Sequence, residues 1–160
     1  MSDNWGAGFC DRLSKGNIMT CNLKVKRIDK DLPLPRYSRD GDACLDLYTS
    51  VSGTVMRENA LIVPTGLAVQ IPQGYVGVVR GRSGNSFKYQ IELHNGIIDS
   101  NFRGEIKLNV FNTSKFNYSF RAGDRLAQLL ILPIPQVNVI EVDELEETNR
   151  GAKGFGSSGV

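Results

Sequence analysis

"GDRLAQLLILP", residues 123–133, reads either as a short helix or as a buried strand, and that choice decides the fold. Leucine, alanine and glutamine favour a helix by propensity. Only nine residues separate Gly123 from Pro133, however, which suits a strand buried on both faces better than a free-standing helix. Read as a strand, the stretch joins a series. "LKVKRI" from Leu23 and "ACLDLYT" from Ala43 alternate apolar and polar residues, and "ALIVPTGLAVQI" from Ala60 reads as two apolar runs broken by Pro64 and Gly66. "GYVGVVR" from Gly74, "GEIKLNVFN" from Gly104 and "QVNVIEV" from Gln136 complete it. Each run is short and bounded by Gly, Pro, Asn or Asp, the pattern of a β-sandwich or barrel. The prolines at 33, 35, 64, 72, 133 and 135 fall between the runs, where a missing N–H costs least. "SGNSFKY", Ser83 to Tyr89, is the candidate helix, with Ser83 as its N-cap. The acidic "DELEET", 143–148, belongs in solvent.

At 160 residues the chain is long enough for one domain with a core that needs no staples. A formal net charge of +2 gives no support for nucleic-acid or membrane binding. Lys24, Lys26, Arg27 and Lys30 cluster, but they alternate with Leu23, Val25 and Ile28 as the wet face of a strand would. Three cysteines without a CxxC, and a single histidine, argue against structural zinc and against a disulfide framework. No apolar run reaches membrane-spanning length and no basic-then-apolar leader is present, so an intracellular, cytoplasmic protein is expected, with the nucleus or a virus-infected host cell as alternatives. Residues 1–22 lack a usable period and are expected to form an extension, disordered or tethered to a partner through Trp5 and Phe9, or else a leader ahead of a start at Met19. Residues 23–148 are the β domain, and 149–160, "NRGAKGFGSSGV", are a flexible arm that still carries Arg150, Lys153 and Phe155.

Four clusters hold residues that a β scaffold does not need. "GRSGNS", 81–86, offers the donor fork of Arg82, the hydroxyl of Ser83 and the bare backbone of Gly84 where a helix begins, which suits phosphate. The alternative is a capped turn with a surface arginine; it is not a P-loop, because no Gly-Lys-Ser/Thr follows. In "HNGIIDSNFRGE", 94–105, two turns flank Ile97 and Ile98, giving a compact hairpin. Asp99 there either takes a proton from water, kept ionised by Arg103, or caps its own turn. His94 has no second ligand or base near it in sequence and reads as a hairpin side chain. Gln128, inside an apolar strand, orients either a neighbouring backbone or a ligand. Asp46, between Leu45 and Leu47, faces solvent or a site.

In this order "DACLDL", "GRSGNS", "NGIIDSNFRGE", "GDRLAQL" and "RGAKGFGSSG" resemble the five motifs of the trimeric dUTPase family, across the chain from Leu23 to Gly159. The resemblance implies an all-β, jelly-roll-like domain with one short helix, forming a homotrimer with active sites at subunit boundaries. It implies that dUTP and water give dUMP and pyrophosphate with Mg2+ on the triphosphate, which limits uracil in DNA and supplies dUMP for thymidylate synthesis. Asp99 would be the general base. Asn95, Gly96 and Ile98 would belong to the segment that reads uracil through main-chain groups, with Phe102 under the deoxyribose. Arg82, Ser83, Gly84 and Gln128 would hold the phosphates and water, and Asp46 would reach the metal through water. Arg150, Phe155, Gly156, Ser157 and Ser158 would close over the nucleotide as a lid. The sequence departs from the family pattern at Cys44, Gly81, Leu93, Phe102, Lys153 and Ser158, where Gly, Pro, Asn (in some relatives), Tyr, Gly and Thr are usual. The alternatives are a dCTP deaminase of the same fold, which lacks the last motif and the aspartate of the third, and an added partner-binding role for the extension.

Overall fold

The computed structural model describes residues 10–12, 19–149, 151, 152 and 154. Two four-stranded antiparallel sheets face each other. The first has the order β3 (Lys24–Arg27), β6 (Ala60–Gln70), β10 (Glu105–Asn112), β8 (Ile91–Leu93). The second runs β4 (Leu45–Tyr48), β12 (Arg125–Pro133), β7 (Tyr75–Gly81), β9 (Ile97–Ile98). A small pair, β5 (Gly53–Val55) with β11 (Tyr118–Phe120), lies beside them. In the leading segment β1 (Cys10–Arg12) pairs with β2 (Met19–Cys21). This is the all-β, jelly-roll-like sandwich expected, with one short helix, α1 (Ser83–Tyr89).

The stretch that decided the fold is a central strand. β12 is paired on both sides, to β4 and to β7, and Leu126, Ala127 and Leu129 are buried in the core. From the other sheet Val63, Leu67, Val69, Leu108 and Val110 meet them. A helix would have satisfied its own backbone; here both neighbours supply the hydrogen bonds, and the apolar run is what a doubly paired, doubly covered strand requires.

Three local expectations need correction. Pro64 and Gly66 do not interrupt "ALIVPTGLAVQ", which is one eleven-residue strand. The pairing shifts between Glu105 and Lys107, with β6 carrying the extra residues between Pro64 and Ala68, so the proline borders a bulge, where a missing donor is tolerated. Gly66 has φ of +63°, and its N–H is taken by the Glu105 carboxylate at 2.8 Å. Residues 136–142, "QVNVIEV", pair with nothing among the described residues; Val137, Val139 and Ile140 stand exposed as an unpaired strap. The alternation was there, but no open neighbour within this chain takes it up. The acidic 143–148 is exposed throughout, as expected.

The third correction concerns residues 94–103. They do not close a hairpin on themselves, for β8 pairs with β10 in one sheet and β9 with β7 in the other. The segment is a crossover between the two layers. Asn95 secures it, donating to the Lys107 carbonyl at 2.7 Å and accepting from the Asn109 N–H at 2.9 Å.

Candidate active site

Asp46 is the organising residue at one end of the second sheet. Its carboxylate is 2% exposed, flanked by Leu47 in the core. Oδ2 accepts from the Ser38 hydroxyl at 2.5 Å and from Arg125 Nη1 at 3.0 Å, while Oδ1 faces Arg82 Nε at 3.4 Å and has no hydrogen bond among the described residues. Burial alone pushes the carboxyl pKa up, but the hydrogen bonds from Ser38 and Arg125 and the charges of Arg82 and Arg125 outweigh it and hold it below the usual value. Asp46 is therefore turned away from solvent and toward two arginines. Its depressed pKa makes a test. The stabilisation is complete above the unfolded-state value of about 3.9 and is lost as pH falls through the lower folded value. Asp46→Asn should cost about 2 kcal/mol near neutrality, part-exposure of both arginines keeping the figure modest. In thermal melts its deficit against the parent protein should stay constant from pH 7 to about 5 and shrink below about 4; a pH-independent deficit would rule out the ionised pair.

The second cluster assembles on this base. Arg82 follows β7 and is the N-cap of α1, in an extended conformation with no side-chain cap bond, so Ser83 is the first helical residue and not the cap. With no role in capping, the Ser83 hydroxyl is left exposed at the head of the helix beside Gly84. Arg82 Nη1 and Asn85 Nδ2 approach the Arg125 carbonyl at 3.4 and 3.3 Å, tying the turn to the start of β12. Gln128 lies in register with both Asp46 and Arg80, half-buried and making no side-chain hydrogen bond among the described residues. The result is a basic, partly exposed turn whose guanidiniums are aimed by one buried carboxylate. Arg125 and Ser38 were not singled out from the sequence; the signal for Arg125 was a charge at the head of an apolar strand, beside Asp124. Nothing comparable marked Ser38, which reaches Asp46 from the loop before β4.

Asp99 lies elsewhere. Ile98 pairs with Gly77, so Asp99 falls beside the Tyr75 end of β7 while Arg82 follows the other end. The intervening strand, from about Val76 to Arg82, spans roughly 20 Å at about 3.3 Å per residue. Asp99 is exposed and gives the turn its carbonyl, which accepts from the Phe102 N–H at 3.1 Å. It lines a groove of about 460 Å³ with Gly74, Tyr75, Ser100 and Gln136. Arg103 does not serve it as expected: Nη1 donates instead to the carbonyls of Ser100 and Phe102, each at 2.7 Å, so it fixes the turn. Phe102 lays its ring over Gly104, where an added Cβ would come within 2.8 Å of the ring. Asn95 is held by β10, and Gly96 is exposed with open space at its α-carbon. His94 stacks on Phe111, ring centroids 5.3 Å apart, as a packing residue. Arg150, Lys153, Phe155, Gly156, Ser157 and Ser158 lie outside the described residues.

Among the described residues no three His, Cys, Asp or Glu side chains gather as a metal cage. The orphaned Oδ1 of Asp46 is one hard oxygen, set between cations. Such a donor set fits Mg2+ carried on phosphate oxygens and steadied through water, not an ion bound by the protein alone.

A buried carboxylate here aims two arginines, and a second carboxylate stands apart on an exposed turn, an arrangement with the donors to receive an anion. The dUTPase family model matches residues 30–159. The deoxyuridine 5'-triphosphate nucleotidohydrolase of Caldanaerobacter subterraneus subsp. tengcongensis is 43% identical over 148 residues, covering 89% of this chain and all of the relative. That of the Wolbachia of Brugia malayi is 42% identical over 154 residues, covering 90% and 99%. A mutant dUTPase of Staphylococcus bacteriophage 80alpha, solved with dUpNHpp, superposes with a TM-score of 0.82 at 30% identity, over 88% of this chain and all of that one. This chain belongs to the dUTPase family.

Proposed function

We infer that the protein hydrolyses dUTP to dUMP and pyrophosphate. The observation that carries the reading beyond kinship is the pre-aimed Arg82–Asp46–Arg125 arrangement, a built anion site at the mouth of which Ser83 and Gly84 are exposed. Arg82 uses part of its five donors on Asp46 and the Arg125 carbonyl, and the rest face the triphosphate. Gln128 supports the phosphate and water network. Asp99 orients and deprotonates the water that attacks the α-phosphorus in line. Main-chain groups around Gly96 and Ile98 read uracil, and Phe102 lies under the deoxyribose, leaving no room for a 2′-hydroxyl. Asn95, its amide committed to β10, serves by shaping this segment. Mg2+, when bound, neutralises phosphate charge, and Asp46 is the residue that would steady it through water. The measurement is pyrophosphate release from dUTP against dCTP, dTTP and UTP. Ammonia from dCTP would replace the reading with deamination.

The separation of Asp99 from Arg82 supports a shared site. One chain cannot touch the attacking water with Asp99 and hold the attacked phosphate with Arg82 across about 20 Å of strand. Two copies can, each giving one end of its β7 to a different site, and a closed ring of three copies satisfies every end. The exposed apolar strap 137–142 also favours assembly. The arm from Arg150 then closes the site, Arg150 on the terminal phosphate, Phe155 on the base, and Gly156, Ser157 and Ser158 against phosphate oxygens. Deleting residues 150–160 is expected to leave the oligomer's mass by light scattering unchanged and to lower kcat/KM for dUTP by about 10²-fold or more.

A further inference from the structure

We propose that Ser38 is a positioning residue for phosphate binding: its hydroxyl divides the Asp46 carboxylate between two arginines and so keeps Arg82 aimed at the nucleotide. The inference rests on the reading of Arg82 as a phosphate ligand and names the group that sets its aim.

Three side chains close a ring around one oxygen. The Ser38 hydroxyl donates to Asp46 Oδ2 at 2.5 Å. Arg125 Nη1 donates to the same oxygen at 3.0 Å and to Ser38 Oγ, also at 3.0 Å. A hydroxyl can serve both neighbours because it gives one hydrogen and keeps two lone pairs. Oδ2 thus receives two donors. Oδ1 receives no hydrogen bond among the described residues and faces Arg82 Nε at 3.4 Å. Each arginine therefore has one oxygen of a carboxylate that is 2% exposed.

The arginines alone would not divide it in this way. A guanidinium meeting a carboxylate favours two parallel N–H···O bonds, one to each oxygen. Arg125 in that mode would take Oδ1 as well, and Arg82 would lose its anchor. The other tie of Arg82, from Nη1 to the Arg125 carbonyl, is 3.4 Å long and weak. Ser38 blocks the swing twice over, by filling Oδ2 and by holding Nη1 against its own oxygen. The serine is itself held. Before it in the chain, the Arg36 carbonyl accepts from the Asp46 N–H at 3.0 Å. After it, Arg39 and Asp42 close a turn on each other. The Arg39 N–H donates to Asp42 Oδ2 at 2.9 Å, and the Asp42 N–H donates to the Arg39 carbonyl at 3.2 Å. A hydroxyl on an exposed loop is thereby fixed over a buried carboxylate. The free donors of Arg82 then point where Asp46 sends them, and a phosphate meets a guanidinium already in place, with less ordering left to do on binding.

Ser38→Ala should lower kcat/KM for dUTP by about tenfold. Ser38→Thr keeps the hydroxyl and should stay within about twofold of the parent, while Ser38→Val, of the same shape without it, should match Ser38→Ala. Calorimetry with a non-hydrolysable dUTP analogue makes the decisive comparison. Ser38→Ala should weaken binding about tenfold where Arg82 is present, and by less than about twofold in the Arg82→Ala protein, which has no guanidinium left to aim. A merely structural loss would weaken both backgrounds alike. Equal weakening in the two, parent-like binding by Ser38→Ala, or a threonine variant as poor as the valine one overturns the positioning role and leaves Arg82 as a phosphate ligand. An Arg82→Ala protein that binds the analogue as the parent does overturns both readings.

Discussion

Asp99→Asn is expected to lower kcat for dUTP by about 10³-fold while nucleotide affinity stays within about tenfold. Asparagine keeps the size and the hydrogen-bonding outline of the side chain but cannot take a proton from water. Folding should be untouched, because Asp99 is exposed and contributes to its turn through its carbonyl and not its carboxylate. Isothermal titration with a non-hydrolysable dUTP analogue and a pyrophosphate-release assay separate the two effects. Turnover within tenfold of the parent would remove Asp99 from the role of base and return it to a turn residue.

The second large effect comes from mixing defects. Asp99→Asn and Arg82→Ala should each be nearly inactive alone, since one loses the base and the other the phosphate clamp. If the two ends of β7 serve different sites, co-expressed chains assemble some sites from the intact Asp99 of one variant and the intact Arg82 of the other. With random assembly about a quarter of the sites are whole, so activity should return to about a quarter of the parent value. A site contained in one chain predicts no recovery at all. The distance of roughly 20 Å along one strand is the observation behind this expectation.

The fold was legible because its signals were local. β12, β10 and β7 each lie between Gly, Pro or Asn punctuation, while α1 is marked at its start by Gly81 and Ser83 and ends on Gln90, at a φ of +56°. What escaped notice was non-local. Residues 136–142 have strand chemistry but no strand, since pairing depends on a free neighbour that sequence does not display. Pro64 looked like a break because its missing donor is tolerated beside a bulge, and the bulge shows only once β6 is paired with β10. The hairpin expected at 94–103 failed for the same reason, its halves belonging to different sheets. In the site, Asp46, Arg82, Ser83 and Gln128 were visible as polar residues out of place and do gather at one end of the sheet. Arg125 and Ser38 were not, because their part is to aim Asp46 across 79 and 8 residues of chain. Nor could spacing reveal that Arg103 would turn away from Asp99 towards the backbone.

The strand that carries Arg82 at one end and borders Asp99 at the other has a genetic consequence. In the shared-site arrangement proposed above, each chain of a ring of three serves two neighbouring sites, so one chain damaged at both ends disables two of the ring's three sites. Mixed with normal chains it subtracts more than its share, and such an allele should behave as partly dominant where an allele of a monomeric enzyme would be recessive.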